Sequence, residues 1–225
     1  MALSGAWVTV PPRMRAGPEA STDVDVPNVR SVESVDIGPL LALLARAFVD
    51  DPFVAWVVRG GAGREDRANA YFDLMLRRVS AARRGAFTTR SLAGVAAWVP
   101  PNAWPPSVGT QVAMLPQTLS FVGLARIGVV SQGAELMESL RPRAPHWHLA
   151  LLGVEPRAQR RGVGAALLAD GLARAEADGV PAHVETSLAA NVPFYERAGF
   201  RLVEQIVLPG EGPPVWALQR WPRAR

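Results

Sequence analysis

The 225-residue chain contains neither cysteine nor lysine. Without cysteine there are no disulfides, no thiolate metal sites and no thiol to carry a covalent intermediate. A reducing cytoplasm is compatible with that absence and is the expected location. Only 3 histidines are present, which argues against a multi-histidine metal centre, so no metal is expected. Without lysine, all 24 basic residues are arginine. With 2 tyrosines as the only other alkaline buffers, little titrates above pH 7, and a pI near 10.8 accompanies a net charge of only +4. The high pI therefore reports missing buffers rather than a nucleic-acid surface, and the arginines are scattered without interleaved aromatics. No apolar run approaches the roughly 20 residues of a membrane span. The opening "MALSGAWVTVPPRMRAG" lacks a basic start and is broken by proline, unlike a secretory leader. No nucleic-acid or membrane partner is expected.

Hydrophobic residues make up 49% of the chain and charged residues 20%, enough for a real core. Residues 1–27, rich in Pro, Ser, Gly and Asp, read as a disordered tail ahead of one domain over 28–222. "VRSVESVD" reads as a short strand and turn, and "IGPLLALLARAFVDD" as a helix. "DPFVAWVV" continues as an apolar connector, and residues 65–83 give a second helix. "GAFTTRS" and "AGVAAWVPP" form a hairpin. Residues 107–140 are helical in pattern, with breaks expected near Pro116 and Gly123. They are apolar enough to cover a sheet face, a substrate or another subunit. "HWHLALLGV" is an apolar strand whose alternation puts His146 and His148 on one face with Ala150 and Leu152. A helix ending at "DG", the strand "PAHVETS", the short helix "NVPFYERAG" and two closing strands, "FRLVEQIVL" and "PVWALQR", complete the chain.

Chemistry concentrates in "EPRAQRRGVGAALL", residues 155–168, a positive, flexible turn between a strand and a helix. Such a turn aims several backbone N–H groups at one place, and the helix dipole adds about 0.3–1 kcal/mol toward an anion. Gly162 and Gly164 remove side chains that would block approach, and Arg160 and Arg161 add charge suited to phosphate. A Walker loop would need a lysine, and a dinucleotide fingerprint three glycines early in the chain. An ordinary solvated turn is the competing explanation of the motif taken alone.

"LALLGVEPRAQRRGVGAALL" followed by "NVPFYERAGF" resembles the GCN5-related N-acetyltransferase (GNAT) superfamily. Gln159, Gly162 and Gly164 match its acetyl-CoA motif; Asn191, Tyr195, Gly199 and Phe200 match its downstream pattern. "HWHLALLGVEP", "ETS" and "GPPVWAL" look closest to the puromycin N-acetyltransferase-like branch. The resemblance implies an α/β fold with a mixed, mostly antiparallel sheet of about seven strands, splayed between the fourth and fifth, and helices on both faces. It implies acetyl-CoA as co-substrate, its pantetheine arm pairing with the backbone of Leu152, Gly153 and Val154 like an added strand. The diphosphate would then reach the N–H groups of Arg160, Arg161, Gly162, Val163, Gly164 and Ala165. Asn191 either caps its helix, bonds the cofactor, or does both.

Acetyl transfer to an amine needs a deprotonated amine, a polarised thioester carbonyl and a proton for the departing thiolate. The family's mechanism is direct attack, and the resemblance makes Tyr195 the general acid; a core tyrosine beside Phe194 and Phe200 is the structural alternative. Several relatives carry a glutamate where this chain has His148, a departure that leaves the base open among His148, Glu185 and water. Asp50 and Asp51 could hold a cationic substrate or serve only as turn and cap. The expected activity is N-acetylation of a primary amine of a small molecule, such as an antibiotic-like amine, or of a peptide. A non-catalytic acyl-CoA-binding regulatory module is the alternative, and the resemblance also allows a homodimer.

Overall fold

The segment Gly94–Val99 is buried at every position, as a strand must be when it lies mid-sheet with both faces covered. It is β3 of a sheet of seven strands in the order β1-β2-β3-β4-β5-β7-β6. The others are β1 (Val29–Ser31), β2 (Ala86–Thr89), β4 (Trp147–Val154), β5 (Ala182–Thr186), β6 (Arg201–Val207) and β7 (Pro214–Arg220). All neighbours pair antiparallel except β4 and β5, which run parallel. The computed structural model describes residues 28–80, 85–103 and 107–222, with side chains of 78–80 excepted. The tail expected at 1–27 and the end of the second expected helix lie outside the described residues.

Among the described residues seven α-helices flank the sheet: α1 (Ile37–Ala47), α2 (Pro52–Val57), α3 (Arg64–Leu74), α4 (Val108–Val122), α5 (Ile127–Ser139), α6 (Val163–Asp178) and α7 (Val192–Arg197). A π-helical turn, Met75–Ser80, extends α3. Successive side chains of β3 feed two cores. Val95 and Ala97 pack with Leu40, Leu44 and Phe72 on the α1–α3 side, while Ala96 and Trp98 pack with Leu167, Leu168 and Tyr195 on the α6–α7 side. Full burial of Leu167 and Leu168 contributes about 1.5–3 kcal/mol each and pins α6 to the sheet. Close approach depends on Gly171, where an added Cβ would lie 2.1 Å from the Trp98 ring.

The chain folds differently from its sequence pattern at three points. The apolar connector "DPFVAWVV" is a helix, α2, because Asp51 caps it by accepting the Val54 N–H at 2.9 Å and Pro52 supplies a preset φ at its first turn. The break expected at Pro116 does not occur: α4 runs through it and stops at Gly123, whose φ is +80°. The helix is held across the proline by tertiary packing, with Phe121 edge-on to Tyr71 and the Gln117 amide donating to Ala70 O at 3.0 Å. The third difference is a bulge in β4. Ala97 pairs with Leu151 and Trp98 with Leu149, so Ala150 has no partner across the ladder. The extra residue reverses the alternation, placing His148 on the face of Leu151 rather than that of Leu152. Among the described residues no single helix is long and apolar enough to cross a membrane, and no group of three His, Asp or Glu side chains is arranged to hold a metal ion.

Candidate active site

The bulge coincides with the point where the sheet opens. β4 pairs with β5 only at Trp147, His148 and Leu149, opposite Ala182, His183 and Val184. From Ala150 to Val154 β4 keeps β3 on one side, but among the described residues the edge toward β5 carries no strand. Leu152, Gly153 and Val154 therefore lie on a free backbone edge. The Gly153 face turned toward α1 is closed, since an added Cβ would meet Leu44 at 2.5 Å and Phe48 at 3.0 Å.

Beyond Val154 the chain makes a short 3-10 turn and enters α6. Glu155 is tied to Arg46 of α1 at 2.6 Å, and Gln159 Nε2 donates to Val154 O at 3.4 Å. Arg160 and Gly162 both adopt positive φ, +60° and +84°, which turns the successive N–H groups before the helix. An added Cβ at Gly162 would meet nothing within 4 Å, so the space over the turn is open. Val163 is buried under β3 and Gly164 lies against Val154 and Phe194, so these two fasten the helix start to the sheet. Ala165 faces a separate groove between α6 and α7. The arrangement fits a phosphate-bearing ligand with an extended arm: open backbone donors at a helix start, continuous with an unpaired strand edge.

Where β4 and β5 part, a cavity of about 310 Å3 opens on the α1–α5 side, lined by His148, Glu185, Asn191 and Tyr195. His148 Nε2 lies 2.6 Å from Glu185 Oε2, His183 Nε2 lies 3.0 Å from Glu185 Oε1, and Arg141 Nε approaches the same oxygen at 3.5 Å. The three histidines of the chain gather here, with His146 and His148 each ring-to-ring with His183. Burial drives the His148 imidazole down to about 4, despite the carboxylate beside it. Burial also pushes the Glu185 carboxyl up, yet the adjoining His148 and His183 rings outweigh that and hold it well below the ordinary value. A neutral His148 donating Nε2–H to an ionised Glu185 satisfies both trends. That tautomer leaves the buried Nδ1 as a lone pair without a hydrogen-bond partner among the described residues.

Tyr195 stacks edge-on against Phe194 and Phe200, which fixes its ring. Burial, with Asp51 and Glu185 adding to it, raises its hydroxyl above the ordinary tyrosine value, so the proton stays on at neutral pH. Asn191 stands at the start of α7 but does not cap it through its side chain; Nδ2 donates to Thr186 Oγ1 at 3.2 Å. Asp51 reaches the cavity while Asp50 is exposed. Sequence reading missed Arg141, His183 and Ser187. The signal for the first cluster was present as histidines two apart on one strand and a His-x-Glu pair on the next, but only parallel pairing in this register joins them.

These features leave a slot in a split sheet, wide enough for an extended ligand, beside a titratable pair. Residues 116–208 match the family model of the acetyltransferase (GNAT) domain. Among solved structures, "histone acetyltransferase HPA2 and related acetyltransferase" from Corynebacterium glutamicum superposes with TM-score 0.67 at 24% identity, over 88% of this chain and 98% of that one. An agmatine N-acetyltransferase, a point mutant in its apo form, gives TM-score 0.61 at 15% identity, over 86% of this chain and 98% of its own. The Drosophila melanogaster polyamine N-acetyltransferase, which forms N-acetylagmatine, gives 0.60 at 15% identity with the same coverages, 86% and 98%. The likeness to the puromycin N-acetyltransferase-like branch stays a resemblance, since these matches do not single out a branch.

Proposed function

We propose that residues 28–222 form one domain that moves an acetyl group from acetyl-CoA directly to a primary amine. The observation that carries this reading is the parting of β4 from β5 at the Ala150 bulge, with the glycine turn at the end of the freed edge. Leu152, Gly153 and Val154 would pair with the pantetheine arm, and the N–H groups of residues 160–165 would hold the diphosphate, with Gln159 and Asn191 at the two ends of the slot. Acetyl-CoA supplies the activated thioester. Residues of the cavity supply the proton handling.

His148 is the better candidate for the base, with Glu185 as its orienting partner. Its Nδ1 lone pair is free to accept a proton from the amine as the new amide forms, and the ionised Glu185 then stabilises the imidazolium. Tyr195, protonated at working pH, can give its proton to the departing sulfur. Enclosing both reactants could itself lower the barrier by roughly 7–11 kcal/mol in ideal geometry. The test is to incubate the protein with acetyl-CoA and a panel of primary amines and to follow release of free thiol. With no cysteine in the chain, a thiol reagent reads the released CoA alone. Tight CoA binding without consumption by any amine would instead support a regulatory acyl-CoA-binding module.

A further inference from the structure

Charge on the cavity lining does not balance. The lining carries three carboxylates, Asp51, Glu138 and Glu185, and one guanidinium, Arg141. Arg141 lies 2.9 Å from Glu138 and 3.5 Å from Glu185, so those two share it. With His148 neutral, the lining keeps an excess of two negative charges. Asp51 accepts the Val54 N–H at 2.9 Å and the Ser187 hydroxyl at 3.3 Å. Among the described residues no basic side chain pairs with it. Burial raises its carboxyl above the ordinary value. A second group on the same lining also wants a partner: His148 is only 6% exposed, and its Nδ1 has no hydrogen-bond partner among the described residues.

These groups form two stations, one for a cation and one for a reacting nitrogen. Ser187, which donates to Asp51, lies two residues past Glu185 in the chain, about 7 Å of extended backbone. Glu185 in turn holds His148 at 2.6 Å. The lining also supplies hydrocarbon, from Phe53 and Val57 of α2 and from Val130 and Met137 of α5, beside the neutral polar groups of Thr186 and Asn191. An alkyl chain of about three to five methylenes covers the distance between the stations. A volume of about 310 Å3, near the lower end of ligand pockets, suits a body of that size.

We propose that the acceptor is a short aliphatic diamine, one end anchored as an ammonium by Asp51 and the other placed beside His148 for acetylation. This rests on the acetyltransferase reading above and names its substrate class. The two ends have different tasks, so the charge that Asp51 holds is never on the nitrogen that attacks. The reacting nitrogen, bound as the free amine, bonds to the thioester carbonyl carbon. The C–S bond breaks with its electron pair going to sulfur, Tyr195 protonates that thiolate, and His148 Nδ1 takes the proton that nitrogen sheds. At that moment Arg141, the His148 imidazolium and the anchored ammonium match Asp51, Glu138 and Glu185 charge for charge. A monoamine would leave Asp51 unanswered, and an enclosed charge without a partner is costly.

The test titrates 1,4-diaminobutane and 4-amino-1-butanol, which has the same length but a single charge, into the full protein with CoA bound, by calorimetry. Wild type is compared with Asp51→Asn and Asp51→Ser, both of which keep a good helix cap for α2 while removing the charge. Wild type should bind the diamine about 10- to 100-fold more tightly than the amino alcohol, the gain expected of a charged hydrogen bond. Both variants should lose that preference, with the amino alcohol staying within about twofold of its wild-type affinity. Equal affinities in wild type, a diamine preference that survives in a folded variant, or an equal loss for the amino alcohol would each overturn the proposal. The acetyl-CoA assay separates the two readings. Turnover of monoamines with no advantage for diamines refutes the acceptor class and leaves the transferase standing. Asp51-dependent diamine binding without consumption of acetyl-CoA does the reverse.

Discussion

Replacing Tyr195 with phenylalanine separates chemistry from packing better than any other single change. The ring makes its contacts through its edges and faces, against Phe194 at 5.1 Å and Phe200 at 5.8 Å between centroids. Phenylalanine keeps all of these. Among the described residues the hydroxyl has no hydrogen-bond partner, so its removal breaks no bond and exposes no orphaned group. Folding stability should therefore move by no more than about 0.5 kcal/mol, and the melting temperature barely at all. If the hydroxyl protonates the departing thiolate, turnover should fall by about 10²–10⁴-fold, equivalent to about 3–5 kcal/mol of barrier. CoA affinity should hold, since the proposed diphosphate and pantetheine contacts lie on α6 and β4. The assay is thiol release at saturating acetyl-CoA and amine, beside a thermal melt and a CoA titration. Turnover within about twofold of wild type in a folded Tyr195→Phe protein would remove the tyrosine from the mechanism and leave water as the acid.

Gly162→Val should weaken CoA by at least about tenfold, because φ of +84° strains any β-branched residue and its side chain would enter the open space over the turn; unchanged affinity by calorimetry refutes the diphosphate placement. Gly171→Ala should destabilise the fold by about 1–3 kcal/mol or more through the clash with Trp98, read by denaturant melts, with little change in CoA affinity per folded molecule. Acidification should lower stability in two stages. His148 is depressed from 6.5 to about 4, so the unfolded chain binds the extra proton first and stability falls as pH drops from about 6.5 toward 4. Glu185, depressed below 4.5, adds its loss only at still lower pH. His148→Gln, which retains an N–H donor toward Glu185, should flatten the first stage in melts across pH 4–7; an unaltered pH profile would contradict a neutral buried imidazole.

The sequence alone determined the parts whose causes are local. The glycine turn before α6, its stop at Gly179 with φ +65°, and the short helix α7 followed by Gly199 with φ +89° follow from neighbouring residues, because turns and caps are set over a few positions of backbone. The hairpin of β2 and β3 was legible for the same reason. What lay beyond the sequence depends on contacts between distant segments. No local signal marks Ala150 as a bulge; the register of β3 against β4 decides it, and with it the face on which His148 stands. Pro116 should end a helix, and packing on α3 carries the helix past it. His148 meets Glu185 across 37 residues, and Asp51 meets Ser187 across 136. Such pairs leave no periodicity in the chain, because closing the loop between them is driven by burial of the whole sheet rather than by either partner. Tertiary structure therefore decided the His148–Glu185 pair, the meeting of Asp51 with Ser187 and the apolar face that α5 turns to the cavity.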